Sequence, residues 1–185
     1  MILAVSQLRA WIIAGSLSVV ASTAIGAEKD PGILQVLSSS GQTLASYRYE
    51  DFRSQFPERE LTTRTPWTVE AQPTVYRGPA LKDVLDKAGL GKANAIRVIA
   101  YNDFQAVLTL DEIDEYHPIL AIERACTPKD REAGSCSAGQ QYKPLDLDDT
   151  GPFSIIWPYD ELPQSATVGR NFIWVWFVTT LRQEQ

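Results

Sequence analysis

The sequence predicts a mixed α+β domain built around a β core. Three observations carry that expectation. Short runs of branched and aromatic apolar residues, bounded by Gly, Pro, Ser or Asn-Asp, recur along the chain and outnumber the segments with helical periodicity. One segment, PALKDVLDKAGL, has a clear helical face. The run FIWVWFVTTL near the end is apolar on both faces, as a central strand covered on each side would be.

At 185 residues the chain suffices for one well-formed core and is short for two, so one domain is expected. Its first segment, MILAVSQLRAWIIAGSLSVVASTAIGA, sets one basic residue (Arg9) before an apolar stretch from Trp11 to Val20. The small residues Ala21, Ser22, Ala24, Gly26 and Ala27 follow. This is the order of a secretory signal peptide, with cleavage after Gly26 or Ala27 and a domain over 28–185. The competing reading, an uncleaved anchor, has only about ten uninterrupted apolar residues against the roughly 18–20 needed to span a bilayer. No later stretch is long and apolar enough to span, so no stable membrane insertion is expected.

Beyond a tether, EKDPG, Ile33 to Leu37 reads as the first strand and SSSGQ as a turn. TLASYRYEDFRSQFP holds a short strand and a helix from Glu50 to Gln55 that Pro57 ends, and Leu61 to Thr65 is extended again. The text from Trp67 to Gly78 reads as loop or edge strand. In the helix that follows, Pro79 stands at the start, Leu81, Val84, Leu85 and Ala88 share a face, and Gly89 supplies the C-terminal cap. AIRVIAY and FQAVLTL are two strands of a hairpin turned by Asn102 and Asp103. A short helix over Asp111 to Glu115 ends before Pro118, and ILAIERA is a strand whose partner is the text from Gln140 to Leu145. PFSIIWP and FIWVWFVTTL are the last two strands. If the second is buried on both faces, Trp174 and Trp176 do not both line a solvent pocket.

The chain has a formal net charge of −6, and removing the first 27 residues takes away Arg9 and no acid. An acidic domain without a basic run is a poor fit to nucleic acid or an anionic membrane surface. A small molecule or another protein is the expected partner. The two cysteines, Cys126 and Cys136, bracket the polar turn-forming text TPKDREAGS; in an exported chain they read as a disulfide. The single histidine, His117, precedes Pro118 and reads as a helix end. With no second imidazole and no free thiol, Ser-His, Cys-His and multi-histidine metal sites lack parts.

RTPWT, YRGPALKDVLDKAGL, AYNDFQAVLTLDEI, HPILAIE, GPFSIIWP and FIWVWF, in this order over roughly residues 33–182, resemble the oxidoreductase molybdopterin-binding family with its sulfite-oxidase-like fold. Enzymes of that family hold molybdenum through a cysteine about four residues before the Trp of the RTPWT-like motif. Here the neighbourhood reads Thr62, Thr63, Arg64, Thr65, Pro66, Trp67, with no cysteine. A threonine hydroxyl is a poor replacement for a thiolate. The departure resembles a subgroup: small periplasmic proteins that bind a free pterin and control a membrane-bound enzyme that makes or degrades cyclic di-GMP. The resemblance therefore implies a periplasmic location, free pterin as ligand without molybdenum, and the periplasmic domain of a membrane signalling protein as partner. The alternatives are a molybdopterin-dependent oxidoreductase or a subunit of one, and a structural or assembly protein that has lost the pocket.

A pterin ring presents two adjacent donors, N3–H and the 2-amino group, beside a 4-oxo acceptor. Its site calls for an acid, one or two arginines and an aromatic face. Asp103 is the first candidate acid, with Asn102 beside it; both equally suit a turn that reads nothing. Trp67, which Pro66 keeps out of a strand ladder, is a candidate rim aromatic, and Arg64 either holds a ligand oxygen or is ordinary surface charge. Arg170, after Gly169, is a candidate to point into a cavity from the mouth of the last strand, with surface solvation as the other reading. Glycine at 169 suggests an unusual backbone angle. Tyr159 and Trp157 are candidates for a stacking wall, Trp157 also fitting the core, and Asp160 and Glu161 are alternative acids. The insert between the cysteines, with Lys129, Asp130, Arg131 and Glu132, is a candidate partner surface or a plain solvated loop.

Overall fold

Among the described residues eleven short strands make three small sheets, and the largest holds both the first and the last of those strands. In the computed structural model, which describes residues 30–68 and 72–185, the elements begin with β1 (Leu34–Leu37), β2 (Thr43–Tyr47), α1 (Tyr49–Gln55), β3 (Arg59–Thr63) and β4 (Thr74–Gly78). Then come α2 (Leu81–Lys87), β5 (Ala95–Ala100), β6 (Gln105–Thr109), α3 (Leu110–Tyr116), β7 (Ile119–Ala121) and β8 (Glu123–Ala125). The last are α4 (Pro128–Glu132), β9 (Tyr142–Pro144), β10 (Ser154–Ile156), α5 (Gln164–Thr167) and β11 (Val178–Gln183). Single 3₁₀ turns lie at Tyr159–Glu161 and Asn171–Ile173. The leader expected over 1–27 lies outside the described residues. Among the described residues no helix is long and apolar enough to cross a membrane.

The five-stranded sheet runs β2-β1-β11-β5-β6, with β11 parallel to β1 and antiparallel to β5. A second sheet runs β3-β4-β8-β9, and β7 pairs with β10 in a third. The final strand is thus central, with Val178 and Leu181 fully buried. Helix α2 inserts Leu81, Val84 and Leu85, all completely buried, which contributes about 1.5–3 kcal/mol for each side chain as an upper bound. Its first amide donates to the carbonyl of Pro118, and Gly89 follows it at φ 81°. Helix α3 starts in a capping box between Thr109 and Glu112 and stops at His117, which caps it in the left-handed region.

The disulfide between Cys126 and Cys136 is present. The loop it closes contains α4, which was not expected, started by Pro128 and a Thr127–Asp130 capping box. Asp130 also takes both terminal guanidinium nitrogens of Arg124, at 2.6 and 2.7 Å, and Arg124 reaches Asp149 at 2.7 Å. Hydrogen bonding from Arg124, reinforced by Thr127, holds the Asp130 carboxyl well below the usual carboxylate range.

Four expectations need correction. The Trp67–Gly78 text ends in β4, which is no edge strand: it pairs with β3 on one side and β8 on the other, because Pro73 precedes the ladder and does not interrupt it. ILAIERA divides at Ile122 into β7 and β8, which serve different sheets. The hairpin loop has three residues, Tyr101 to Asp103, closed by Ala100 and Phe104. Asp103 alone among them takes positive φ (64°), whereas a two-residue type I′ turn needs it at both positions. Gly169 is not in the left-handed region; a side chain there would press on the Ser165 carbonyl, 2.9 Å from an added Cβ.

Candidate ligand-binding site

The FIWVWF text is the fifth correction, and it creates the site. Only from Val178 does the chain enter β11; Asn171–Ile173 is a 3₁₀ turn, and Trp174 to Phe177 is irregular. Long-range backbone bonds impose this path: Ile155 N–H donates to the Val175 carbonyl (2.8 Å), Phe177 N–H to Thr150 (3.0 Å) and Tyr101 N–H to Phe177 (2.8 Å). Phe177 absorbs the kink with φ 56°. Val175 is fully buried in the core, and Trp174 and Trp176 on either side of it both line one cleft. The expectation that they could not do so rested on an unbroken strand.

Two other segments complete the cleft. Beyond β3 the chain makes a turn in which Thr68 N–H donates to the Thr65 carbonyl (2.9 Å) and Thr65 N–H to the Thr68 hydroxyl (2.9 Å). This turn holds Trp67 out, 52% exposed, with its ring edge-to-face on Trp176 at 4.7 Å between centroids. From the β5–β6 hairpin come Asn102, whose side-chain oxygen accepts from Phe104 N–H (3.3 Å), and Phe104, 42% exposed. The cavity, about 170 Å³, is lined by Trp67, Asn102, Phe104, Trp174, Trp176 and Phe177.

Among the described residues, the buried side-chain nitrogens without a hydrogen-bond partner are Nε1 of Trp174, Nε1 of Trp176 and Nε of Arg64. Buried donors are nearly always satisfied in folded proteins, and an orphan costs about 1–3 kcal/mol. Both indole nitrogens are closed off from solvent, so the surface that the cleft offers is chiefly aromatic carbon, which suits the face of a flat ring.

The residues singled out from sequence fall into three groups. Trp67 and Asn102 line the cleft. Asp103 is exposed at the tip of the same hairpin between Asn102 and Phe104, while Tyr159 packs its ring on Trp174 at 6.0 Å and Arg64 lies beside the Asp160 that follows it. Arg170 belongs elsewhere: it pairs with Glu112 at the start of α3, which holds the Glu112 carboxyl below its ordinary range, and its guanidinium lies 5.7 Å from the Phe172 ring. Trp157 is core, its indole N–H donating to the Ile173 carbonyl at 3.0 Å. Glu161 is exposed. Sequence reasoning missed Trp174, Trp176, Phe104 and Phe177 as site residues. Three aromatics within Trp174 to Phe177 were the available signal, hidden by reading them as strand.

The position corresponding to the molybdenum-ligating cysteine can be tested directly. Thr63, at the end of β3, is 3% exposed; its hydroxyl donates to the Trp157 carbonyl (3.1 Å) and accepts from Tyr159 N–H (2.9 Å). The hydroxyl is committed to locking the 157–159 segment, and the chain's thiols are joined in the disulfide. Among the described residues no group of three His, Cys, Asp or Glu could hold a metal ion. This donor set does not fit a thiolate-ligated molybdenum centre.

No protein-family model matches the chain, and no curated protein sequence matches it. Among solved structures, the sulfane dehydrogenase SoxCD from Paracoccus pantotrophus is similar, with a TM-score of 0.51 and 14% identity over 87% of this chain. The match spans 40% of that enzyme's chain. At this identity the likeness shows the fold: a small single-domain α+β protein of the sulfite-oxidase-like type, distantly related in architecture to that dehydrogenase.

Proposed function

We propose that this protein is a periplasmic pterin-binding module without redox chemistry of its own, which conveys ligand occupancy to a membrane-bound signalling enzyme of the cyclic di-GMP type. The observation that carries the reading is the aromatic cleft with two unpartnered indole donors, in a fold whose metal-ligating position is a buried, hydrogen-bonded threonine. At about 170 Å³ the cavity is smaller than the roughly 300–1,000 Å³ usual for drug-sized ligands, and it suits a bicyclic ring without a long appendage.

In this reading the Trp67 and Trp176 rings supply the aromatic surface, and a ligand that shifts the Trp67–Trp176 packing brings the buried indole N–H groups of Trp174 and Trp176 to acceptors on its edge. Asp103, at the hairpin tip, accepts the N3–H and 2-amino donors. Occupancy is read by a partner that prefers the loaded or the empty form, because a ligand without differential affinity shifts nothing. The disulfide-stapled loop around α4 is the surface assigned to that partner.

Purification from the native source, acid release of any bound ligand and its analysis by fluorescence and mass spectrometry, with molybdenum assayed in the same sample, tests the proposal. Free pterin without metal is the expected result. Molybdenum with molybdopterin would establish an oxidoreductase instead. If neither is found and added pterins do not bind, the protein is a structural or assembly component that has kept the fold and lost the ligand.

A further inference from the structure

Arg64 is a half-used cation. Its Nε is buried with no partner among the described residues, and its Nη1 meets the two carboxylate oxygens of Asp160 at 3.4 Å each. Charge-assisted N–H···O bonds are ordinarily about 2.7–2.9 Å, and a guanidinium offers a planar fork of five donors suited to bidentate recognition of an anion. Elsewhere in this protein that geometry is realised: Arg124 grips Asp130 at 2.6 and 2.7 Å, and Arg97 grips Glu184 at 2.7 and 2.9 Å. The Asp160 side chain is 70% exposed, on a single 3₁₀ turn, and so is cheaply displaced.

The pair is joined along the chain to two segments that reach the cleft or pack on it. Arg64 directly precedes the turn that presents Trp67, and Asp160 directly follows Tyr159, whose ring lies on Trp174. Thr63, bonded to both Trp157 and Tyr159, fixes the two segments against each other, so Arg64 and Asp160 meet at a set position beside the aromatic cavity.

We infer that Arg64 is a specificity residue that selects pterins carrying an anionic substituent, with Asp160 as an internal anion that the ligand's oxygens displace. The inference rests on the pterin reading above. Displacement releases the Asp160 side chain while Thr63 keeps the turn in place, so binding an anionic ligand changes the charge exposed at this turn where a neutral one does not.

The test is calorimetric titration of the full chain with pterin-6-carboxylate and with neutral 6-hydroxymethylpterin, for wild type, Arg64→Gln and Asp160→Asn. Wild type is expected to bind the carboxylate about tenfold tighter or more, as a charge-assisted bond supplies. Arg64→Gln brings the ratio to about one, and Asp160→Asn raises carboxylate affinity severalfold while leaving the neutral pterin's unchanged. Equal affinity of wild type for the two ligands overturns the inference while leaving the pterin reading intact, as does an Arg64→Gln variant that weakens both equally. Failure of wild type to bind either one overturns both.

Discussion

Replacing Trp174 by Phe separates a ligand-binding indole from a structural one, because the two roles move stability and affinity in different directions. In the free protein the Trp174 N–H is buried and unpartnered, in a side chain only 2% exposed. Removing an orphan donor recovers about 1–3 kcal/mol. Against this stands the lost volume: a phenyl ring is smaller than indole by roughly 40 Å³, which at about 24 cal/mol per Å³ costs ~1 kcal/mol. Trp174 lines an open cleft, so part of that void is already solvent and the cost is an upper value. The free variant is therefore expected to be as stable as wild type or more stable by up to ~2 kcal/mol, which in Tm is up to about 8 °C for a chain of this size. Pterin affinity moves the other way, since loss of one neutral hydrogen bond of ~0.5–1.5 kcal/mol weakens binding about two- to twelvefold. Thermal unfolding with and without ligand, together with calorimetric titration, measures both. A variant that melts several degrees lower and binds pterin as tightly as wild type would refute the assignment of this N–H as a ligand donor.

Thr63→Val removes the hydroxyl that serves Trp157 and Tyr159 and leaves a buried carbonyl and amide unpaired, so denaturant titration should show a loss of ~2–4 kcal/mol, with Thr63→Ser retaining most of the stability. Asp103 sits at positive φ, which glycine adopts without strain, so the backbone of the hairpin should tolerate Asp103→Gly and circular dichroism of the variant should match wild type. Asp103→Asn, which also tolerates this conformation, should lose pterin affinity far more than stability; unchanged affinity would return the residue to a turn-former. The Asp130 and Glu112 carboxyls are both depressed in the folded state, chiefly by hydrogen bonds from Arg124 and Arg170. Their stabilisation is present above their unfolded pKa values near 4 and is lost as pH falls through the lower folded values. Asp130→Asn removes one such proton-linked loss, so, measured from equal starting stability, its acid unfolding followed by circular dichroism should start at lower pH than that of wild type.

Much of the scaffold was legible because its determinants are local. The face of α2, the Gly89 cap, the short helix before Pro118 and the strand runs at β1, β5 and β6 each follow from a period or a cap within one turn or strand. The cysteine pair needed only its spacing and its polar loop. Register and sheet membership were less accessible: Ile122 looks like any other residue of an apolar run, yet the chain changes sheets there.

The sequence by itself determined the fold class, the disulfide and the absence of a thiolate ahead of Trp67. It also picked out Trp67 and Asn102, since a proline-flanked tryptophan and a hairpin loop are exposed for local reasons. Tertiary structure alone decided that Trp174 and Trp176 face a cleft, that Thr63 is a lock, and that Arg170 belongs to Glu112 and Arg64 to Asp160. The physical reason is the distance along the chain over which each was fixed. Thr63 is bonded to segments more than ninety residues away, at separations of 94 and 96, and Trp174 to Phe177 are bent out of the strand by amides and carbonyls of three other segments. No periodicity within a window of residues carries that information.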